Sequence, residues 1–120
     1  MKKSLPFISV ICIFLLVSCK PKSTTITDIS PNKMVNIVVK ATRAGGIEPW
    51  KVDIGVKAYD FKEGHLLFEL ETNDVNEKSV TFDWKDDNNC IISFAEPDGE
   101  ARRFQLKTDA NEVQLAEINL

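Results

Sequence analysis

The chain has 120 residues, with 15 Lys and Arg against 18 Asp and Glu, for a formal net charge of −3 at pH 7. The charges form no long block of one sign, which argues against a nucleic-acid or anionic-membrane surface, so no nucleic-acid partner is predicted. A chain of this length forms one domain with a modest core.

Residues 1–18 have the parts of a secretory signal peptide. Lys2 and Lys3 give a positively charged start, and residues 5–17 form an apolar stretch interrupted by Ser9. A membrane-spanning helix needs roughly 18 or more apolar residues, so this stretch is too short to persist as a transmembrane anchor. A segment that directs secretion and is then removed is expected.

The four residues Leu16-Val17-Ser18-Cys19 close this segment, and no alanine-type cleavage site precedes them, since the first alanine is Ala41. The sequence resembles the lipobox of bacterial lipoproteins. The resemblance implies cleavage before Cys19 and attachment of lipid to that cysteine, which would anchor the protein in the cell envelope. Lys20 replaces the aspartate that, in lipoprotein sorting, holds proteins at the inner membrane, so the outer membrane is expected.

Cysteine usage agrees with a lipid anchor. Cys12 would leave with the signal peptide and Cys19 would carry the lipid, so Cys90 is the thiol that remains. No intramolecular disulfide is then possible in an oxidising compartment. Cys90 is in phase with Ile92 and Phe94, which predicts a small core residue rather than a nucleophile. Loss of residues 1–18 removes two lysines, leaving 13 basic against 18 acidic residues and a net charge of −5.

Residues 19–33 are rich in Lys, Pro, Ser and Thr and show no sustained apolar period. This composition predicts a flexible tether between the lipidated cysteine and a folded domain over residues 34–120. Fully stretched, the tether would span at most roughly 50 Å. Ile26 and Ile29 offer the alternative that a first strand begins earlier.

From residue 35 onward, apolar residues recur with a period of two, the pattern of half-buried strands. Turn-forming residues separate seven such segments, which are 35–41, 50–58, 66–70, 80–84, 90–94, 104–107 and 113–116. The pattern predicts an all-β domain, a single small antiparallel β-sandwich of immunoglobulin-like or transthyretin-like type, with a small barrel as the alternative. The Cys…Trp…Cys pattern of true immunoglobulin domains is absent.

Two groups of residues could bind a metal or act in catalysis. The acidic segment 83–89, which includes Asp86 and Asp87, offers oxygen ligands for Ca²⁺ but lacks EF-hand spacing, and a tight hairpin turn is favoured. His65 is the sole histidine and begins a predicted strand, so an exposed structural residue is favoured over a catalytic base. A Cys90–His65 dyad is rejected because Cys90 falls in the core pattern. No metal site is predicted.

Aromatic and basic residues offer weaker candidates. Trp50 and Trp84 could stack on a sugar, but both are in phase with inward residues, so core packing is favoured for both. Trp50, which follows Pro49 at a strand entrance, is the better candidate of the two for partial exposure. Arg102 and Arg103 could bind an anion, although paired arginines on a strand usually form a solvated edge. No catalytic or cofactor-binding residues are predicted, and the protein is not expected to be an enzyme.

The segments Val35-Asn36-Ile37-Val38-Val39-Lys40-Ala41 and Pro49-Trp50-Lys51-Val52-Asp53-Ile54-Gly55-Val56-Lys57-Ala58-Tyr59, behind a lipobox, resemble the opening of the outer-membrane lipoprotein of type VI secretion membrane complexes. That resemblance implies a transthyretin-like sandwich that docks a partner through its loops.

Two alternative functions therefore follow from the sequence. The first is a lipid-anchored, non-enzymatic interaction or structural module with an envelope protein as partner. The alternative is a lipoprotein that binds a small ligand, namely a sugar, a lipid or Ca²⁺, with Trp50, Tyr59 or the Asp86-Asp87 loop exposed at the site.

Overall fold

The computed structural model describes residues 21–59, 62–72, 74–96 and 100–119. This part of the chain contains eight strands and no helix. The strands are β1 (Lys22–Ile29), β2 (Val35–Arg43), β3 (Trp50–Ala58), β4 (Lys62–Leu70), β5 (Val80–Asp86), β6 (Asn89–Phe94), β7 (Arg102–Thr108) and β8 (Val113–Ile118).

The strands form two antiparallel sheets of four, which we call sheet A (β1-β2-β3-β4) and sheet B (β5-β6-β7-β8). The predicted all-β sandwich is confirmed. Each sheet is a simple meander in which neighbours in sequence are neighbours in space. An immunoglobulin sandwich instead distributes its strands as ABED and CFG.

Residues 22–29 correct the predicted tether, which was placed over residues 19–33. Lys22–Ile29 form β1 and pair with β2 along their whole length, from Lys22 opposite Arg43 to Ile29 opposite Asn36. The first described strand therefore begins at Lys22, inside the predicted tether, and the described residues form eight strands instead of about seven. Composition misled the prediction because threonine, which suits both linkers and strands, occupies much of this segment, and Ile26 is its only buried apolar side chain.

The two sheets pack with their strand ends aligned, so the sandwich has two distinct ends. At the hairpin end lie the turns that join β1 to β2, β3 to β4, β5 to β6 and β7 to β8. At the opposite end, which we call the entry end, β1 begins at Lys22 and β8 finishes at Ile118. The connection from β4 to β5 crosses the entry end and buries Val75 there.

The core lies between the sheets because buried apolar residues alternate along the strands with residues that face outward. In β2, for example, Val35, Ile37, Val39 and Ala41 are all fully buried while their neighbours face solvent or are half-buried. Near the entry end, the rings of Phe68, Phe94 and Phe104 contact one another across the sandwich, with centroids 4.4–5.6 Å apart. Such ring contacts add to the gain from burial alone.

One side of the sandwich is closed by the contact of the edge strands β4 and β8. Gly64 of β4 lies directly against Val113 of β8, and a Cβ atom added at residue 64 would come within 2.7 Å of Val113 Cγ1. No side chain fits in that space, so a glycine at this position sets how closely the two edges approach.

We therefore expect Gly64→Ala to destabilise the domain by about 1–3 kcal/mol, because the added methyl group forces β4 and β8 apart. Urea denaturation of residues 20–120 measures the effect. Gly45→Ala is the matched control, since a Cβ atom at residue 45 meets nothing within 4 Å. The double variant Gly64→Ala/Val113→Ala should recover most of the loss. Equal stability of Gly64→Ala and the unmodified domain would contradict the packing.

Candidate functional site

The solvent-exposed face of sheet A carries a shallow groove of about 210 Å³. The groove runs across the middle strands, where Val38 of β2, Gly55 of β3 and His65 of β4 stand side by side in register. We call it the sheet A groove. Its lining comprises Asn36, Val38, Lys40, Asp53, Gly55, Val56, Lys57, Glu63 and His65.

Gly55 creates the floor of the groove, because a side chain there would fill it. A Cβ atom added at residue 55 would lie 3.1 Å from His65 Cε1 and 3.6 Å from the Val38 carbonyl oxygen. The imidazole ring therefore lies close to the bare backbone of β3. Its Nδ1 atom is 3.2 Å from Asp53 Oδ1, which holds the ring in this orientation.

The rim of the groove is charged and carries both signs. Lys40 and Asp53 lie next to each other on the entry-end side of Gly55, and Lys57 and Glu63 lie next to each other on the hairpin-end side. Leu67, which follows His65 on the same face of β4, is 77% exposed. An apolar centre with a polar rim is the arrangement typical of protein–protein contact surfaces.

Sequence reasoning placed His65 correctly as an exposed strand residue but did not identify the groove. Val38 has the pattern of an ordinary strand residue. Gly55 was the available signal, because an isolated glycine inside a strand marks a bulge or a close approach of another group. Here the approaching group is the His65 ring.

The acidic segment at the β5–β6 turn uses its oxygens to build the turn. Asp86 Oδ1 accepts hydrogen bonds from the Asn88 backbone amide at 2.8 Å and from the Asn89 side-chain amide at 3.0 Å. The hydrogen bond from the Asn88 backbone amide is the main cause of a lowered pKa of Asp86, and the bond from the Asn89 side chain is the second cause. Asp87 Oδ1 accepts from the Asn32 amide at 3.0 Å and so joins the turns of the two sheets. Among the described residues, no cluster of His, Cys, Asp and Glu could hold a metal ion.

Tyr59, a candidate ligand residue, also joins the sheets at the hairpin end. Its hydroxyl donates to Asn88 Oδ1, which also accepts from the Thr108 hydroxyl at 3.1 Å. Tyr59 and Lys33 have positive φ angles of 40° and 65°, in the left-handed region that non-glycine residues rarely adopt. The Tyr59 amide donates to the Met34 carbonyl at 3.3 Å, which ties the β3 end to the β1–β2 turn.

Cys90 is fully buried in the core, as predicted. Burial raises the pKa of its thiol to about 12, with smaller contributions from Asp28 and Asp83. The thiolate is the reactive form, so this cysteine is inert. Cys90 faces inward from sheet B whereas His65 faces solvent on sheet A, and the two residues do not form a dyad.

The favoured core packing is confirmed for Trp50, whereas Trp84 is the tryptophan that is partly exposed. Trp50, the better candidate of the two for partial exposure, is 2% exposed and lies at the entry end of the core. Trp84 is half-buried, and its Nε1 atom donates to Asp28 Oδ2 at 2.9 Å, a contact between β5 and β1. Trp84 sits on an edge strand, where the neighbouring sheet covers only part of the ring. Neither residue presents an open aromatic face for a sugar.

Arg102 is occupied by contacts within the domain. Its Nε and Nη2 atoms donate to the two Glu117 carboxylate oxygens, both at 2.8 Å, and Nη1 donates to the Glu69 carbonyl. The guanidinium also lies over the ring of Phe68, 4.8 Å from its centroid. A polar cavity of about 440 Å³ adjoins it, but Glu96, Glu100 and Glu117 line that cavity beside Arg102 and Arg103, which disfavours an anion.

The Arg102–Glu117 pair makes a testable contribution to stability. The hydrogen bond from Arg102 lowers the pKa of Glu117 below its ordinary value of 4.5. A carboxylate whose pKa is lower in the folded state stabilises the fold above the unfolded pKa, and that stability is lost as the pH falls through the folded pKa. We expect Glu117→Gln to cost roughly 0.5–1 kcal/mol at pH 7, since both side chains are partly exposed. The cost should shrink as the pH falls below about 4.5.

Thermal unfolding between pH 3 and pH 7 measures this difference, with Glu63→Gln, a change of an exposed β4 carboxylate, as the control. A Glu117→Gln cost that stayed constant with pH would contradict the assigned pair.

Cys19, the predicted lipid attachment site, lies outside the described residues. The part of the chain that the structure describes contains no helix long and apolar enough to cross a membrane. No family model, curated protein or solved structure matches the chain.

Proposed function

We propose that this protein is a lipid-anchored, non-enzymatic interaction module of the bacterial cell envelope. A lipid on Cys19 anchors the protein in the outer membrane. The sheet A groove receives a side chain from a protein partner. The observation that carries the interaction role is the groove at Gly55, with its apolar floor, charged rim and neighbouring exposed Leu67.

The size of the groove favours a protein partner over a small ligand. Small-molecule sites are closed clefts of roughly 300–1,000 Å³ that bury most of the ligand. The groove holds about 210 Å³ and is open to solvent along the sheet, which suits one projecting apolar side chain. Lys40 and Lys57 on the rim, together with Asp53 and Glu63, favour a partner that flanks that side chain with charges of both signs.

The position of the groove suits an anchored protein. It lies on strands β2, β3 and β4, and the lipid would attach beyond β1 at the entry end. The sheet face and the hairpin end therefore stay open to partners in the envelope. An anchor on the same membrane as the partner raises the local concentration of each, so a groove of modest affinity suffices.

The chemistry of the described residues agrees with a binding role. The sole histidine contacts Asp53, and the remaining thiol is buried with a raised pKa. Nucleophilic catalysis by Cys90 would need its thiolate within reach of a reacting atom, and burial in the core prevents that.

The anchor is tested by Cys19→Ser. We expect this variant to lose lipid attachment, because the thioether cannot form, and to leave the membrane fraction while remaining folded. Fractionation of cell envelopes after a carbonate wash measures the change, with Cys90→Ser as a control that keeps the anchor. A Cys19→Ser variant that still pelleted with membranes would disprove lipid anchoring.

The groove is tested by site-specific photocrosslinking in intact envelopes. A photoreactive residue at Leu67 should crosslink a partner protein, whereas one at Lys107, exposed on the outer face of sheet B, should not. Gly55→Ala fills the floor and should reduce the Leu67 crosslink at least about fivefold, the effect of losing roughly 1 kcal/mol of binding.

Because Gly55→Ala contacts only the His65 ring and the Val38 carbonyl closely, the domain should keep its fold, which circular dichroism would check. A Leu67 crosslink of unchanged strength in a folded Gly55→Ala protein would count against the groove as the binding site.

A further inference from the structure

The loop between β2 and β3, residues 44–49, projects an apolar side chain from the entry end. Ile47 at its tip is 98% exposed, whereas the other large apolar side chains exposed in the described residues reach 44–77%. Single exposed apolar side chains are common on protein surfaces, so the placement of Ile47 in the fold, and not its exposure alone, bears on its role.

The loop holds Ile47 away from the rest of the domain. At its base, Arg43 Nε donates to the Glu48 carbonyl at 2.7 Å, and the Glu48 amide donates to the Gly45 carbonyl at 3.3 Å. A Cβ atom added at Gly45 or Gly46 would meet nothing within 4 Å, so no other described element packs against these two glycines. Trp50, which directly follows the loop, is buried in the core and so holds the carboxyl-terminal end of the loop in place.

The loop is also next to the point where the anchor joins the domain. Lys22, the first residue of β1, stands opposite Arg43, the last residue of β2. Three residue steps separate Lys22 from Cys19, and such a stretch spans at most about 11 Å. A lipid on Cys19 therefore brings the entry end, and the loop with it, to the membrane surface.

We propose that the 44–49 loop is a second membrane contact, with Ile47 inserted into the headgroup region of the bilayer in which the Cys19 lipid is embedded. This proposal rests on the lipid anchor proposed above. The two connections at the entry end carry four carboxylates, and three cations there offset only part of their charge, namely Glu48, Glu71, Asp74 and Glu77 against Lys22, Arg43 and Lys78. The loop thus fits a bilayer rich in zwitterionic lipid better than a strongly anionic one.

The test uses the full, lipidated protein, purified and reconstituted into phosphatidylcholine vesicles that contain spin-labelled lipid. An environment-sensitive fluorophore is attached to the cysteine of the Ile47→Cys variant. Cys90 is buried and does not react with the labelling reagent. Ala110→Cys, in the exposed β7–β8 turn at the hairpin end, is the matched control. We expect the lipid spin label to quench the fluorophore at residue 47 at least about threefold more than the one at residue 110.

Equal quenching at residues 47 and 110, with the protein still bound to the vesicles, would overturn the loop contact and leave the lipid anchor standing. Retention of Cys19→Ser on membranes would instead refute the anchor.

A second measurement replaces part of the phosphatidylcholine with phosphatidylglycerol. Weaker quenching at residue 47 would support the preference for zwitterionic lipid, and equal or stronger quenching would overturn it.

Discussion

The contact between the two sheets at Phe68, Phe94 and Phe104 is the interaction on which the rest of the structure depends. These rings come from β4, β6 and β7, so they join sheet A to sheet B near the entry end. Arg102 covers the cluster through its contacts with Phe68, Glu117 and Glu69. A hydrophobic cluster closed by a bidentate ion pair helps to exclude water from the entry end of the core.

Because the packing between the sheets holds the core together, residues on the solvent-exposed face of sheet A can differ without disrupting the core. A glycine in the middle of a strand is normally unfavourable because it adds no packing and loses more backbone entropy. Gly55 is tolerated since its two neighbours in β3, Ile54 and Val56, are buried and hold the strand in place. The packing of the inward face of sheet A therefore allows the sheet A groove to exist on its solvent-exposed face.

The period-two pattern predicted most of the fold because a strand with one buried face repeats its apolar residues at every second position. It failed at β1, where Thr24 and Asp28 occupy inward-phase positions and only Ile26 is buried. It also could not tell Trp50 from Trp84, because phase does not reveal whether a strand lies at an edge. Cys90 and His65 were predicted correctly, since burial and exposure follow directly from phase. The groove could not be predicted, because it depends on three residues from separate strands meeting in register.

The pairing of β1 with β2 has a mechanical consequence. The lipid would pull on the amino-terminal end of β1, along the strand axis, while a partner bound at the groove holds β2, β3 and β4. Antiparallel hydrogen bonds run perpendicular to the strands, so this force loads the whole β1–β2 ladder in shear rather than opening it one bond at a time. The eight paired positions from Lys22 to Ile29 would share the load. In the proposed arrangement, the strand that resembles a linker in the sequence would be the element that transmits tension from the membrane to the bound partner.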